Sequence, residues 1–121
     1  MTYTIRPATK DDIISLYGKE IMFPCRAWAV DYNGAVACVA GVYFQPNQAV
    51  SFSAMADVDA PKRKIFRAAM EMMDKIKSLN LPSITAVCTD KYKNSGRLHQ
   101  MAGFTYKGRN EQGDIYIWEP K

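Results

Sequence analysis

The sequence predicts an α/β (α+β) fold, a mixed sheet of about seven strands with flanking helices in the order β-α-β-β-β-α-β-α-β-β. Three observations carry this prediction. Short runs of strand formers are separated by turn residues, of which Asn33-Gly34 is the strongest hairpin signal. A long amphipathic segment after Pro61 lies between an alternating run and a short apolar run, the pattern of a strand-helix-strand crossover in a partly parallel sheet. A length of 121 residues, 48% apolar and 23% charged, suits one domain over residues 1–121 that buries a core without disulfide or metal staples.

The elements follow in order. Tyr3 to Arg6 reads as a first strand, after which Thr9 and Asp12 form the start of a capping box for a helix reaching about Ile21. Arg26 to Tyr32 and Ala35 to Phe44 read as a hairpin around Asn33-Gly34, and Gln45-Pro46-Asn47-Gln48 as the next turn. Val50, Phe52, Ala54, Ala56 and Val58 then alternate with Ser51, Ser53, Met55 and Asp57, the period of a half-buried strand. Asp59-Ala60-Pro61 supplies a cap and an early proline for a helix whose apolar stripe is Ile65, Ala69, Met72 and Ile76, widened by Phe66, Met70 and Met73. Ile84 to Thr89 reads as a buried strand. A helix from about Asn94 to Ala102 stops at Gly103, and strands Thr105 to Lys107 and Asp114 to Trp118 flank a turn at Asn110 to Gly113.

Composition narrows the setting. Cys25, Cys38 and Cys88 are odd in number and sit in apolar or strand contexts away from metal-ligand spacing, which predicts a reducing compartment and no metal site. The start has no long apolar run of signal-peptide type, and no run reaches membrane-spanning length, so a soluble, cytoplasmic protein without a membrane partner is expected. A net charge of +4 is mild and interspersed with acids, which ranks a nucleic-acid partner below a protein partner.

The element order, the opening Ile5-Arg6-Pro-Ala-Thr-Lys-Asp-Asp12 and the later Ser95-Gly-Arg-Leu-His-Gln-Met-Ala-Gly-Phe104 together resemble the GNAT superfamily of N-acetyltransferases. The opening is similar to that superfamily's "I-R-x-A-t-x-x-D" start, and Gly103-Phe104 matches the end of its "a-x-x-L-Y-x-x-x-G-F" segment. Trp28-Ala-Val30, followed by a tight turn and Ala40-Gly41, is similar to its central hairpin. Compact members with a reduced lid are common in phages and bacteria, and the short Met22-Phe-Pro-Cys25 stretch between the first helix and second strand has that character.

The resemblance implies an acetyl-CoA-dependent N-acetyltransferase, with acetyl-coenzyme A as co-substrate and an amine acceptor. A reduced lid admits a protein segment more easily than a deeply enclosed metabolite. Val58, Arg63, Lys64, Arg67, Ala68 and Asn94 are the implied cofactor-binding residues. In the matching register, Arg63-Lys-Ile-Phe66-Arg-Ala68, Phe66 stands where the family places a glycine that lets backbone amides approach a pyrophosphate. An inward Phe66 would block that approach. Lys62, Arg63, Lys64 and Arg67 crowd a helix start whose dipole ordinarily selects acids, an arrangement that makes sense if an anion binds. Taken alone such a cluster is more often a solvated face, here balanced by Asp57 and Asp59.

Transfer of acetyl to an amine leaves a thiolate that needs a proton, which the family commonly takes from a tyrosine. Counting back from Gly103-Phe104, His99, the chain's single histidine, holds that position and can donate near neutral pH. A lone helix histidine more often has no such role, and Tyr92 and Tyr106 are nearby alternatives. Glu20 and Asp57 are candidates for a base, although each is more often solvated or a cap. Cys88 lies in an apolar run with no base visible beside it and reads as a packing residue. Trp28, Tyr32, Tyr43 and Phe44 are placed on strands that would line an acceptor cleft, where aromatics are usually core or cross-strand pairs. A GNAT-like binding protein without catalysis is the second reading, favoured by the missing loop glycines.

Overall fold

The computed structural model describes residues 3–56, 62–88 and 99–120. Its elements are β1 (Tyr3–Pro7), α1 (Lys10–Tyr17), β2 (Cys25–Tyr32), β3 (Ala35–Gln45), β4 (Gln48–Met55), α2 (Lys62–Lys77), β5 (Ile84–Cys88), β6 (Thr105–Asn110) and β7 (Gly113–Trp118), with residues 99–101 helical ahead of β6. The strands form one sheet in the order β1-β2-β3-β4-β5-β7-β6. Among the described residues only the β4–β5 strand pair is parallel, as the crossover through α2 requires.

Local chemistry sets the boundaries. Thr9 caps α1 by accepting from the Asp12 amide while Asp12 Oδ2 accepts from the Thr9 amide at 2.8 Å, the reciprocal bonds of a capping box. The helix is shorter than the expected end near Ile21. It stops at Tyr17 because Gly18 takes the left-handed conformation at φ 88° and its amide closes on the Ile14 carbonyl. Asn33 and Gly34 both have positive φ, which the two-residue hairpin turn demands. β6 runs past Lys107 to Asn110, where the Asn110 side-chain oxygen accepts from the Gln112 and Gly113 amides and forms the turn.

α2 packs on one face of the sheet and α1 on the other. Ala68, Met72 and Ile76 of α2 bury against Val30, Cys38, Val42 and Ile84. On the α1 face, β2 and β3 approach so closely that a Cβ at Gly41 would lie 2.6 Å from the Ala27 Cβ and collide with the Arg26 carbonyl. Gly41 is therefore a packing requirement of the central hairpin.

The opening motif has a structural explanation on that same face. The Arg6 guanidinium reaches Asp31 on β2 (Nε to Oδ2, 2.7 Å) and Asp12 on α1 (Nη1 to Oδ2, 2.7 Å), with a second bond to each carboxylate at 3.2 Å. It ties the first helix to two strands through paired, charge-assisted bonds. Hydrogen bonding from Arg6, helped by the Thr9 amide and hydroxyl and opposed by burial, holds the Asp12 carboxyl down at about 2.

Candidate active site

The sheet divides between β4 and β5. Their ladder, among the described residues, consists of Val50–Thr85 and Ser51–Ala86. Beyond it β4 stays with β3, from Phe52 opposite Gly41 to Met55 opposite Cys38, while Val87 and Cys88 stay with Ile115 and Asp114 of β7. Two strands that begin as partners thus part toward their C-terminal ends, the edge at which parallel strands of α/β proteins present ligand sites.

On the α2 side of the parting lies a cleft of about 90 Å³. Ser51 and Ser53 project into it from β4, Ala69 and Met73 from α2, and His99 from the last turn before Gly103. The serines belong to the strand row opposite Val50 and Phe52, which are buried as the alternation predicts. The alternation predicts a half-buried strand without assigning the serine row to a cleft wall. The one signal for such a wall is the small polar residue at positions 51 and 53. Cys38 also borders the cleft, and burial pushes its thiol up to about 11, so it contributes no charge there.

His99 is held by several local devices. Gly103, at φ 98°, ends the helix as its amide meets the Gln100 carbonyl and the Phe104 amide meets the His99 carbonyl at 2.9 Å, the paired bonds of a Schellman cap. The hydrophobic contact that accompanies such a cap is here the Phe104 ring, edge-on to the imidazole with centroids 5.1 Å apart. Tyr116 of β7 stacks on the same imidazole at 6.1 Å and 24°. Loss of water contact, with Asp114 as the largest charge effect, pushes the Tyr116 phenol up, so it stays neutral beside the ring. Lys77 Nζ donates to the Ala102 carbonyl and lies 5.8 Å over the Trp118 ring, which fixes the same helix end from α2. The Gly-Phe motif thus shapes the cap that aims His99.

Cys88, read from sequence as a packing residue, is buried at 6% exposure and also lies 3.4 Å from His99 Nδ1 through its sulfur. The two are eleven positions apart in the chain, and no local spacing signals the contact. Tyr106 is exposed and touches Tyr116 edge-on, one ring removed from His99.

The cationic helix start separates into different environments. Arg63 and Arg67 are exposed on the outer face of α2, and the described first turn holds no acid. Lys64 lies 5.9 Å over the Tyr32 ring on the β2 side. Ala68 is at 0% exposure in the core, with Val30, Cys38 and Met72, so its side chain faces the sheet. Phe66 does not enter the core. It is 41% exposed on the helical row that continues into Ala69 and Met73 of the cleft wall. Val58, Asn94, Asp57, Asp59 and Tyr92 lie outside the described residues. Glu20 is spent in an exposed ion pair with Lys10 at 2.6 Å.

Of the four aromatics expected at an acceptor cleft, Tyr43 alone is on the α1 face, stacked on Phe23 at 5.6 Å and tilted against Phe52, which Tyr17 meets edge-on at 5.5 Å. Trp28 and Phe44 pack on the core from the α2 side and Tyr32 is buried there. Strand alternation decides this, because residues 28, 32 and 44 share the face opposite Tyr43. The described residues contain no cluster of three metal-ligating side chains, and no described helix is long and apolar enough to cross a membrane.

A GNAT-family acetyltransferase from Staphylococcus aureus Mu50 superposes with a TM-score of 0.73 over 99% of this chain and 100% of its own, at 13% identity. The chain has the GNAT fold. The same fold aligns with a putative acetyltransferase from Salmonella typhimurium solved with its cofactor acetyl-CoA (TM-score 0.72, 14% identity, 98% of this chain and 94% of that one). It also aligns with the ribosomal-protein-S18-alanine N-acetyltransferase from Escherichia coli (TM-score 0.68, 18% identity, 96% and 91%). No family model and no curated protein matches the sequence. The GNAT fold is thus evident in three dimensions at identities of 13 to 18%.

Proposed function

We propose that the chain is an N-acetyltransferase that takes acetyl-coenzyme A as co-substrate and acetylates an amine. The observation that carries this reading is the parting of β4 from β5 beside a cleft with one imidazole in its wall, within a fold shared with acetyltransferases. Past Ser51 the β4 edge turned toward β5 leaves the ladder, and its backbone groups can bond the amides of a pantetheine arm in strand fashion.

Arg63 and Arg67, one turn apart at the head of α2, are assigned to the pyrophosphate, where the helix dipole adds to their charge. Lys64 joins them if it leaves the Tyr32 ring, Ala68 contributes through its backbone, and Val58 and Asn94 complete the set by their place in the sequence. The thioester supplies the acetyl group. The acceptor, as a neutral amine, forms the new bond from its nitrogen to the carbonyl carbon and releases one proton to solvent, the carbon–sulfur bond breaks, and His99 supplies the proton taken up by the leaving thiolate. The acceptor enters from the α1 face, along Tyr17, Tyr43 and Phe52. With only eight residues in α1 and Met22 83% exposed beyond it, that approach suits an amine on a protein segment.

Calorimetric titration with acetyl-CoA at low and moderate salt tests the reading. Binding that weakens with salt and falls in an Arg63→Ala, Arg67→Ala double variant supports it. No binding at any salt overturns it. The second reading, a GNAT-fold protein that engages a protein partner without catalysis, draws on the exposed Phe66 at the glycine position. Cofactor binding without turnover across an acceptor panel would favour it.

A further inference from the structure

The cleft does not end where β4 and β5 part. It passes under α2 and across β4 to β3, where Cys38 and Ala40 form its inner wall. Those two residues lie opposite Met55 and Ser53 in the β3–β4 ladder, so the recess runs about one strand spacing, roughly 4.8 Å, beyond the strand that borders the parting. Ile65, Ala69 and Ile76 of α2 form its roof.

Side-chain size explains the open space. Ala40, Ser51, Ser53 and Ala69 are small and meet from floor and roof, whereas the adjoining part of the same layer is filled by Trp28, Val42, Phe44 and Ile84. Protein interiors are close-packed as a rule, so four small side chains facing one open space are an exception that an occupant would explain. At roughly 10–15 Å³ for each water-sized group, the 90 Å³ of the cleft takes about six or more such groups, and acetyl has three non-hydrogen atoms. Met70 and Met73 in the wall are unbranched and can change rotamer to follow the shape of a flexible occupant. Among the described residues no Asp, Glu, Lys or Arg lines the cleft, so a charged group inside it would lose water without gaining a counter-ion.

We propose that the recess is an acyl-chain site, and that the protein prefers an uncharged aliphatic acyl-coenzyme A of about four carbons, such as butyryl, over acetyl-coenzyme A. This deepens the transferase reading and rests on it. The thioester carbonyl stays at the parting, the acceptor arrives from the α1 face, and the alkyl tail runs the other way, beneath α2. A neutral acceptor amine bonds through its nitrogen to the carbonyl carbon and releases one proton to solvent, the carbon–sulfur bond breaks, and the thiolate takes up one proton. Tail length alters none of these steps and adds only buried apolar surface.

Calorimetric titration with acetyl-, butyryl- and succinyl-coenzyme A tests the inference. Butyryl-CoA is expected to bind about tenfold tighter than acetyl-CoA, since each buried methylene adds to affinity. Succinyl-CoA, close to butyryl in length but charged, is expected to bind at least about tenfold more weakly than butyryl-CoA. Equal affinity for the acetyl and butyryl forms overturns the inference and leaves the acetyltransferase reading standing. Equal affinity for the butyryl and succinyl forms also overturns it, because the tail would then lie in water. Ala69→Leu fills the roof while keeping a strong helix former on α2, and is expected to bring the butyryl-to-acetyl affinity ratio from about ten to near one. A ratio that persists in this variant, with native circular dichroism, places the tail elsewhere and overturns the recess. The comparison of thioesters in the unaltered protein decides the matter whether or not that variant folds. If none of the thioesters binds, the transferase reading and the inference fall together.

Discussion

The two segments that carry the chain's resemblance to acetyltransferases serve the fold in different places. Arg6 and Asp12, at the opening, bind the first helix to β1 and β2 on the α1 face, and neither belongs to the cleft wall. Gly103 and Phe104, near the end, close a helix cap whose third residue back is His99, and so determine the orientation of the one imidazole in the cleft. Both motifs are structural devices, one for the scaffold and one for the site. A motif's legibility in sequence therefore gives no measure of its distance from the chemistry. What distinguishes the two is the residue each one immobilises.

That contrast can be broken at the site first. His99→Ala is expected to reduce acetyl-transfer kcat by about 10²-fold or more, the usual weight of a positioned acid, while thermal unfolding changes little. A large loss of thermal stability with unchanged kcat would move His99 from the site to the scaffold. On the scaffold side, Gly41→Ala places a Cβ within 2.6 Å of the Ala27 Cβ and is expected to cost roughly 1–3 kcal/mol in denaturant unfolding. An undiminished midpoint would mean that β2 and β3 separate without penalty.

Asp12→Ala removes both the Arg6 pair and the reciprocal half of the capping box, a loss of about 1 kcal/mol. Its pH dependence supplies a sharper check. The folded Asp12 carboxyl sits at about 2, below the roughly 3.9 of an unfolded aspartate. Its stabilisation is therefore present above about pH 4 and is lost as pH falls toward 2. The difference in melting temperature between the unaltered protein and Asp12→Asn should narrow over that window. A gap that stays constant would show that the pairing with Arg6 adds nothing beyond the cap. The smallest effect is expected from Arg63→Ala alone, a few-fold weakening of acetyl-CoA binding at low salt that vanishes at moderate salt, since an exposed cation is readily screened. A salt-independent loss would place Arg63 in a desolvated contact.

Much of the candidate site was legible in part. Counting back from Gly103-Phe104 singles out His99, which the structure places in the cleft wall, and Arg63 and Arg67 are exposed, as a solvated cationic face would have them. Lys64 and Ala68 could not be sorted the same way, because their surroundings are set by Tyr32 on β2 and by Val30 and Cys38 across the interface with the sheet. The four aromatic strand residues illustrate the same limit. Alternation assigns Tyr43 and Phe44 to opposite faces, but the face on which α1 would pack depends on how the chain folds back.

The sequence by itself determined the elements and their joints, because each is encoded within a few residues. Asn33-Gly34 supplies the positive φ of its turn, Thr9 and Asp12 bond each other across one helical turn, and Gly18 and Gly103 stop helices by adopting a backbone conformation that side chains disfavour. Gly18 carries the same signal, and it ends the first helix at Tyr17, short of the expected Ile21. Only the tertiary structure decided the parting of β4 from β5, the row of serines facing α2, the Arg6–Asp31 pair 25 residues apart and the meeting of Cys88 with His99. These depend on which strands and helices pack together. Such partners are chosen by burial of apolar surface over the whole chain, and that choice leaves no fixed spacing in the sequence.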